Sequence, residues 1–152
     1  QPGYIFVTEE NYIVETVLGS CVAVCLWDEE NKIGGVNHYI YPECTNKSER
    51  TARYGNVSIP YMIKMMREKG AQIHKLKAYA IGGARNIHLS SIVGDGNIKI
   101  AREILDKYKI KLIQTDFGGI RGRKIYFDTS TGNLKIEFIK SDGIEERIQN
   151  GK

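Results

Sequence analysis

The run from Cys21 to Trp27, Cys-Val-Ala-Val-Cys-Leu-Trp, carries no charge and does not alternate between polar and apolar residues. A run this short, bounded by turn residues, reads as a strand buried on both faces, and such a strand must be covered on both sides. The chain is therefore expected to be layered. A charged turn follows at Asp28-Glu29-Glu30-Asn31-Lys32, and the return strand runs from Ile33 to about Ile40. With the turn centred near Glu29-Glu30, paired residue numbers sum to about 59 or 60, which places Cys21 opposite His38 or its neighbour.

Tyr12 to Val17 reads as a further strand, joined to the buried one through Leu18-Gly19-Ser20. Val57, Tyr61, Met62, Met65 and Met66 fall at helical spacing within Tyr54 to Lys69, with Gly70 as the C-terminal cap. Pro60 is tolerated only in a first turn, so the start of the helix is left open between Tyr54 and Ser58, a good N-cap. A strand at Leu76 to Ile81 ends in Gly82-Gly83. A second helix over about Asn97 to Tyr108 shows Ile98, Ala101, Leu105 and Tyr108 on one stripe and leads into a strand at Ile110 to Asp116. Lys124 to Asp128 and Leu134 to Lys140 form a hairpin across Thr131-Gly132-Asn133.

Two helices with six or seven strands, and no internal repeat, predict an α/β (α+β) fold: one layered sandwich of mixed, mostly antiparallel sheet. At 152 residues the chain can hide roughly 70% of its unfolded surface, enough for one core without disulfide or metal staples. We expect a single domain over 1–152, with its core at about 4–140 and a charged tail at 141–152. No stretch nears the roughly 20 apolar residues of a membrane span, so no membrane insertion is expected. Lys+Arg 22 against Asp+Glu 18 is only mildly basic, and basic and aromatic residues do not interleave, so no nucleic-acid partner is expected.

The cysteines are Cys21, Cys25 and Cys44, odd in number and without a C-x-x-C pair, which points to a reducing, cytoplasmic compartment. Cys21 directly follows Gly19-Ser20 in a strand-entering turn, where backbone N–H groups can face an oxyanion. A cysteine nucleophile acts as a thiolate, and the hairpin brings His38 toward Cys21 as its base. The alternative is a packed Cys21 beside a satisfied strand histidine. Cys25, four residues on, reads as core, as do Met62, Met65 and Met66. Zinc sites pair ligands on short turns rather than along a strand, so no metal is assigned to Cys21, Cys25, His38 and Cys44. Arg121-Gly122-Arg123-Lys124 reads as a solvated face, with an acidic partner as the alternative.

Leu18-Gly19-Ser20-Cys21-Val22-Ala23-Val24, Gly34-Gly35-Val36-Asn37-His38 and Tyr41-Pro42 together resemble the chemoreceptor glutamine deamidase family, CheD. Tyr54 at a helix start, Gly82-Gly83-Ala84, the Gly94 to Asn97 segment, Asp116-Phe117-Gly118-Gly119 and Arg121-Gly122-Arg123 continue the pattern over about residues 4 to 140. The resemblance implies conversion of glutamine side chains on methyl-accepting chemotaxis receptors to glutamate through a thioester on Cys21, with His38 as acid and base and no cofactor. Gly19, Ser20, Gly82 and Gly83 would line the substrate site. It also implies a CheC-type phosphatase as a partner, and hence an alternative role as a non-catalytic protein that binds and activates that phosphatase. The family's third catalytic residue is a threonine six positions before the cysteine, where this chain has Glu15. Thr16 stands one residue later, and strand parity puts the two on opposite faces, so either Thr16 or Glu15 would orient His38. Asn56 replaces a frequent aspartate near the helix start.

Overall fold

The computed structural model describes residues 2–85, 91–139 and 145–147. Its strands are β1 (Tyr4–Thr8), β2 (Ile13–Leu18), β3 (Val22–Asp28), β4 (Ile33–His38), β5 (Lys77–Gly82), β6 (Lys111–Phe117), β7 (Gly122–Asp128), β8 (Leu134–Ile139) and β9 (Glu145–Arg147). Its helices are α1 (Gly55–Glu68) and α2 (Ser91–Lys107). One sheet has the order β1-β4-β3-β5-β6, antiparallel except for the β5–β6 pair, and the other is antiparallel in the order β2-β7-β8-β9.

All seven residues of β3 are buried, as its composition requires. Val22, Val24 and Leu26 face Met62, Met66, Ala101 and Leu105 of the two helices, while Ala23, Cys25 and Trp27 face Leu18, Ile125 and Phe127 of the second sheet. The five-stranded sheet is thus the middle layer, with helices on one side and a sheet on the other. Each large apolar side chain buried here contributes about 1.5–3 kcal/mol of transfer free energy, which explains why uncharged, unbroken strands occupy the centre. Met62 and Met66 are core as expected, whereas Met65 is half-buried and Tyr61 exposed.

α1 begins at Gly55, within the range left open for its start, but Pro60 lies inside it rather than in a first turn. The first N–H groups are taken up by the incoming chain, Gly55 N–H by the Tyr41 carbonyl and Asn56 N–H by that of Pro42, so no side-chain cap is needed. Ser58 is buried and accepts a hydrogen bond from Asn37 Nδ2 instead. α2 begins at Ser91, six residues before Asn97, and so includes Gly94 and Gly96. A Cβ on Gly94 would stand 2.7 Å from the Ala84 carbonyl oxygen, so this glycine lets the helix lie directly on the turn after β5.

β1, not anticipated, adds an edge strand against β4. β9 pairs with β8 inside the segment read as a tail; the rest of 140–152 lies outside the described residues.

Candidate active site

The link Gly19-Ser20-Cys21 carries the chain from β2 of one sheet to β3 of the other. The Gly19 carbonyl accepts from Ala84 N–H and the Cys21 carbonyl from Gly83 N–H, both at 2.9 Å. Gly82 makes this approach possible: its φ is +120°, and a side chain there would run into the Cys21 carbonyl. The Gly82-Gly83-Ala84 turn therefore borders the cysteine, as its glycines suggest, and the Gly118 N–H bonds the Gly82 carbonyl in turn.

The hairpin register differs from expectation by one or two residues. Cys25 pairs with Val36 and Val22 bridges Tyr39, so partner numbers sum to 61 and the turn is centred between Glu30 and Asn31. Extending that register places His38 across from Ala23 and on the diagonal from Cys21, not opposite it. Diagonal neighbours on one face are about 7–8 Å apart at Cα, within reach of long side chains. Cys21 packs against the cluster between the two sheets that includes Ala23, Cys25 and Val36, and His38 meets Thr16 of the second sheet on the same side.

His38 is buried, and its Nδ1 lies 2.8 Å from Thr16 Oγ1. Thr16 is held on the inner face of β2, whose pairing with β7 runs from Ile13 to Leu18 without a bulge. Of the two neighbouring residues it is therefore Thr16 that contacts His38. Glu15 points outward, 56% exposed, with Lys124 Nζ at 3.6 Å. The Tyr4 ring meets the imidazole edge-on at 5.8 Å, and Tyr4 pairs with His38 across β1 and β4. His38 Nε2 is buried without a hydrogen-bond partner among the described residues.

Burial disfavours charge on both candidate groups: the Cys21 thiol is pushed up, and the His38 imidazole is pulled down to about 4. At neutral pH the two are a thiol and a neutral imidazole rather than an ion pair. Such a pair holds its proton on sulfur until a bound carbonyl gives the developing charge somewhere to go.

The remaining candidates sort by burial. Cys25 is fully buried core. Cys44 is buried in the loop after Pro42, where Asn56 bonds both its N–H and its carbonyl, so Asn56 secures a loop as well as standing in a helix start. No three His, Cys, Asp or Glu side chains among the described residues gather as metal ligands. The Arg121 to Lys124 cluster is not simply a solvated face. Arg123 is buried and ion-paired to Asp116 at 3.0 Å, Arg121 lies over the Phe138 ring, and Lys124 meets Glu15. A charge in a strand that alternates in burial, as β7 does, is the sequence signal for such a pair.

Tyr4 and Tyr39 were not singled out by sequence, and Asn97 stood only within a motif. Tyr39 is fully buried with its hydroxyl donating to the Asn97 carbonyl at 2.6 Å. A tyrosine next to a candidate base in a buried strand is the only hint the sequence offers of it.

Comparison with known proteins identifies the chain's relatives. Residues 41–138 match the family described as CheD chemotactic sensory transduction. A protein of Sulfurimonas denitrificans named "probable chemoreceptor glutamine deamidase CheD" is 38% identical over 140 residues, 90% of this chain and 90% of its own. Relatives of the same name in Trichlorobacter lovleyi and Vibrio cholerae are 38% and 33% identical, covering 86% and 91% of this chain and 83% and 64% of their own. The family match begins after Cys21 and His38, but an overlap of 90% of 152 residues necessarily spans both. The Gly19-Ser20-Cys21 turn, the strand histidine and these extended similarities together establish that the chain belongs to the CheD family.

Proposed function

We propose that this chain is a cysteine-dependent protein-glutamine deamidase acting on chemoreceptors. The observation that carries the reading is His38, tied at Nδ1 to Thr16, with its buried Nε2 unpartnered and Cys21 on its diagonal. With Nδ1–H donating to Thr16 Oγ1, Nε2 is the basic nitrogen. It takes the Cys21 proton as sulfur bonds to the glutamine carboxamide carbon, and backbone N–H groups near Ser20 and Cys21 hold the oxyanion. The carbon–nitrogen bond then breaks, and the same proton leaves with ammonia. His38 next takes a proton from water as the hydroxide adds to the thioester carbon. The carbon–sulfur bond breaks, the thiol regains a proton, and a glutamate carboxylate remains. Water and a proton carrier suffice for these steps.

The relatives' shared name supports the chemoreceptor as substrate. All three cysteines are free, in keeping with a reducing cytoplasm, and no helix among the described residues is long and apolar enough to cross a membrane. The non-catalytic alternative, binding and activating a CheC-type phosphatase, drew its strength from Glu15 in place of threonine. With Thr16 on His38, the enzyme reading is favoured. The test is the mass of a receptor cytoplasmic fragment after incubation with wild type or Cys21→Ala. We expect the small gain of amide-to-acid conversion with wild type only; no gain with either on a cognate receptor under reducing conditions refutes the deamidase.

A further inference from the structure

Three consecutive carbonyls of the nucleophile turn are pinned. Those of Gly19 and Cys21 are held by backbone N–H groups, but the one between them, on Ser20, accepts from the Asn97 side chain, Nδ2 to oxygen at 2.9 Å. The same Nδ2 donates to the Ile40 carbonyl at 2.7 Å, just beyond the end of β4. Asn97 is wholly buried within α2, and its own carbonyl is anchored by the Tyr39 hydroxyl. Both N–H bonds of the carboxamide go to carbonyl oxygens, so the reversed amide would set three oxygens against one another. Its Oδ1, with His38 Nε2, completes the set of buried unpartnered side-chain polar atoms among the described residues.

The Ser20 carbonyl and the Cys21 N–H belong to one trans peptide plane and point in opposite directions. Whatever holds the Ser20 oxygen therefore aims the Cys21 N–H. Neither the Ser20 nor the Cys21 N–H is taken up by a carbonyl of the described residues.

We infer that Asn97 is a positioning residue: it fixes the Ser20–Cys21 peptide plane so that the Cys21 N–H stands ready for the oxyanion, and it ties that plane to the strand carrying His38. The inference rests on the deamidase reading for its natural substrate, but its test does not.

Two reagents separate aiming an oxyanion donor from supporting the fold. Acylation of Cys21 by p-nitrophenyl acetate forms a sulfur–carbon bond through a tetrahedral oxyanion, breaks the carbon–oxygen bond to p-nitrophenolate and sends the thiol proton to His38. Alkylation by iodoacetamide displaces iodide without any oxyanion. With a Cys21→Ala blank subtracted, Asn97→Ala is expected to slow acylation about ten- to a hundredfold while alkylation stays within about twofold. Equal falls in both rates, or a fall in neither, overturn the inference. Should Asn97→Ala not fold, Asn97→Asp gives the same answer through pH, because a protonated carboxyl can donate one hydrogen bond and a carboxylate none. The ratio of acylation to alkylation should then rise toward wild type as pH is lowered; a ratio flat with pH overturns the inference. Loss of the deamidase reading alone would show as no conversion of receptor fragment by wild type while the ratio still drops in the variant.

Discussion

Thr16 and Glu15 are adjacent in sequence and opposite in environment, which makes them a direct test of what orients His38. Thr16→Val keeps the shape but removes the acceptor for Nδ1–H, so kcat should fall about 10²-fold and the unpaired buried nitrogen should cost about 1–3 kcal/mol of stability. Glu15→Gln should leave kcat within about twofold, because its pair with Lys124 lies on the outer face. A loss from Glu15→Gln matching that of Thr16→Val would return the orienting role to the carboxylate. The histidine also predicts a pH dependence. Its folded value, about 4, lies below the ordinary 6.5, so between these values the unfolded chain binds the extra proton. Stability is therefore full above about pH 6.5 and falls as pH drops toward 4, by roughly 3 kcal/mol if His38 acts alone. Urea titrations over that range should show a slope in wild type that His38→Gln lacks; equal slopes would contradict the burial argument. The Gly19-Ser20 turn, the hairpin pairing and the family resemblance pointed to Cys21 and His38. The choice between Thr16 and Glu15 was illegible because it depends on which face of β2 meets the middle sheet, a fact fixed by pairing with β7 more than a hundred residues away.

At the scale of elements, the active-site turn is where the two sheets exchange chain, and Arg123 secures a second junction. Its guanidinium on β7 meets Asp116 on β6 at 3.0 Å, beside the Gly118-Gly119 loop that bonds the Gly82 turn. Arg123→Ala leaves a carboxylate beside a gap that the aliphatic stem and guanidinium had filled, and should destabilise by about 2–3 kcal/mol, toward the lower side of buried pairs because Asp116 is partly exposed. The joint Arg123→Met, Asp116→Leu replacement should recover much of this loss. Chemical denaturation of the two variants checks both statements, and a double variant no better than the single would show that the charges themselves hold the junction. Element types were legible because β3 is unbroken, β7 alternates and α1 has helical spacing. The start of α2 was not, because Gly94 and Gly96 look like breakers in isolation. Only the Ala84 carbonyl and Pro42 packed against them explain why small residues sit inside a helix. The hairpin register slipped for a similar reason, since a run of charged turn residues does not reveal its own centre.

For the molecule as a whole, the sequence made the layers legible and left the assignment of strands to sheets hidden. A strand buried on both faces demanded covers on each side, and helix spacing supplied one of them. That β2 leaves its neighbour β3 to pair with β7, and that β1 rather than β2 flanks β4, follows only from how the two sheets pack. This departure has a chemical consequence. By splitting β2 and β3 between sheets, the fold places Cys21 on one side of the sheet interface and Thr16, which meets His38, on the other, so catalysis on this account needs both sheets docked. The most direct measurement is the intact mass of the enzyme after acid quenching during turnover of a receptor fragment. The account predicts an adduct of the fragment less one ammonia, linked at Cys21, present in wild type and absent in Cys21→Ala. Glutamine converted without such an adduct, at an undiminished rate in Cys21→Ala, would contradict it.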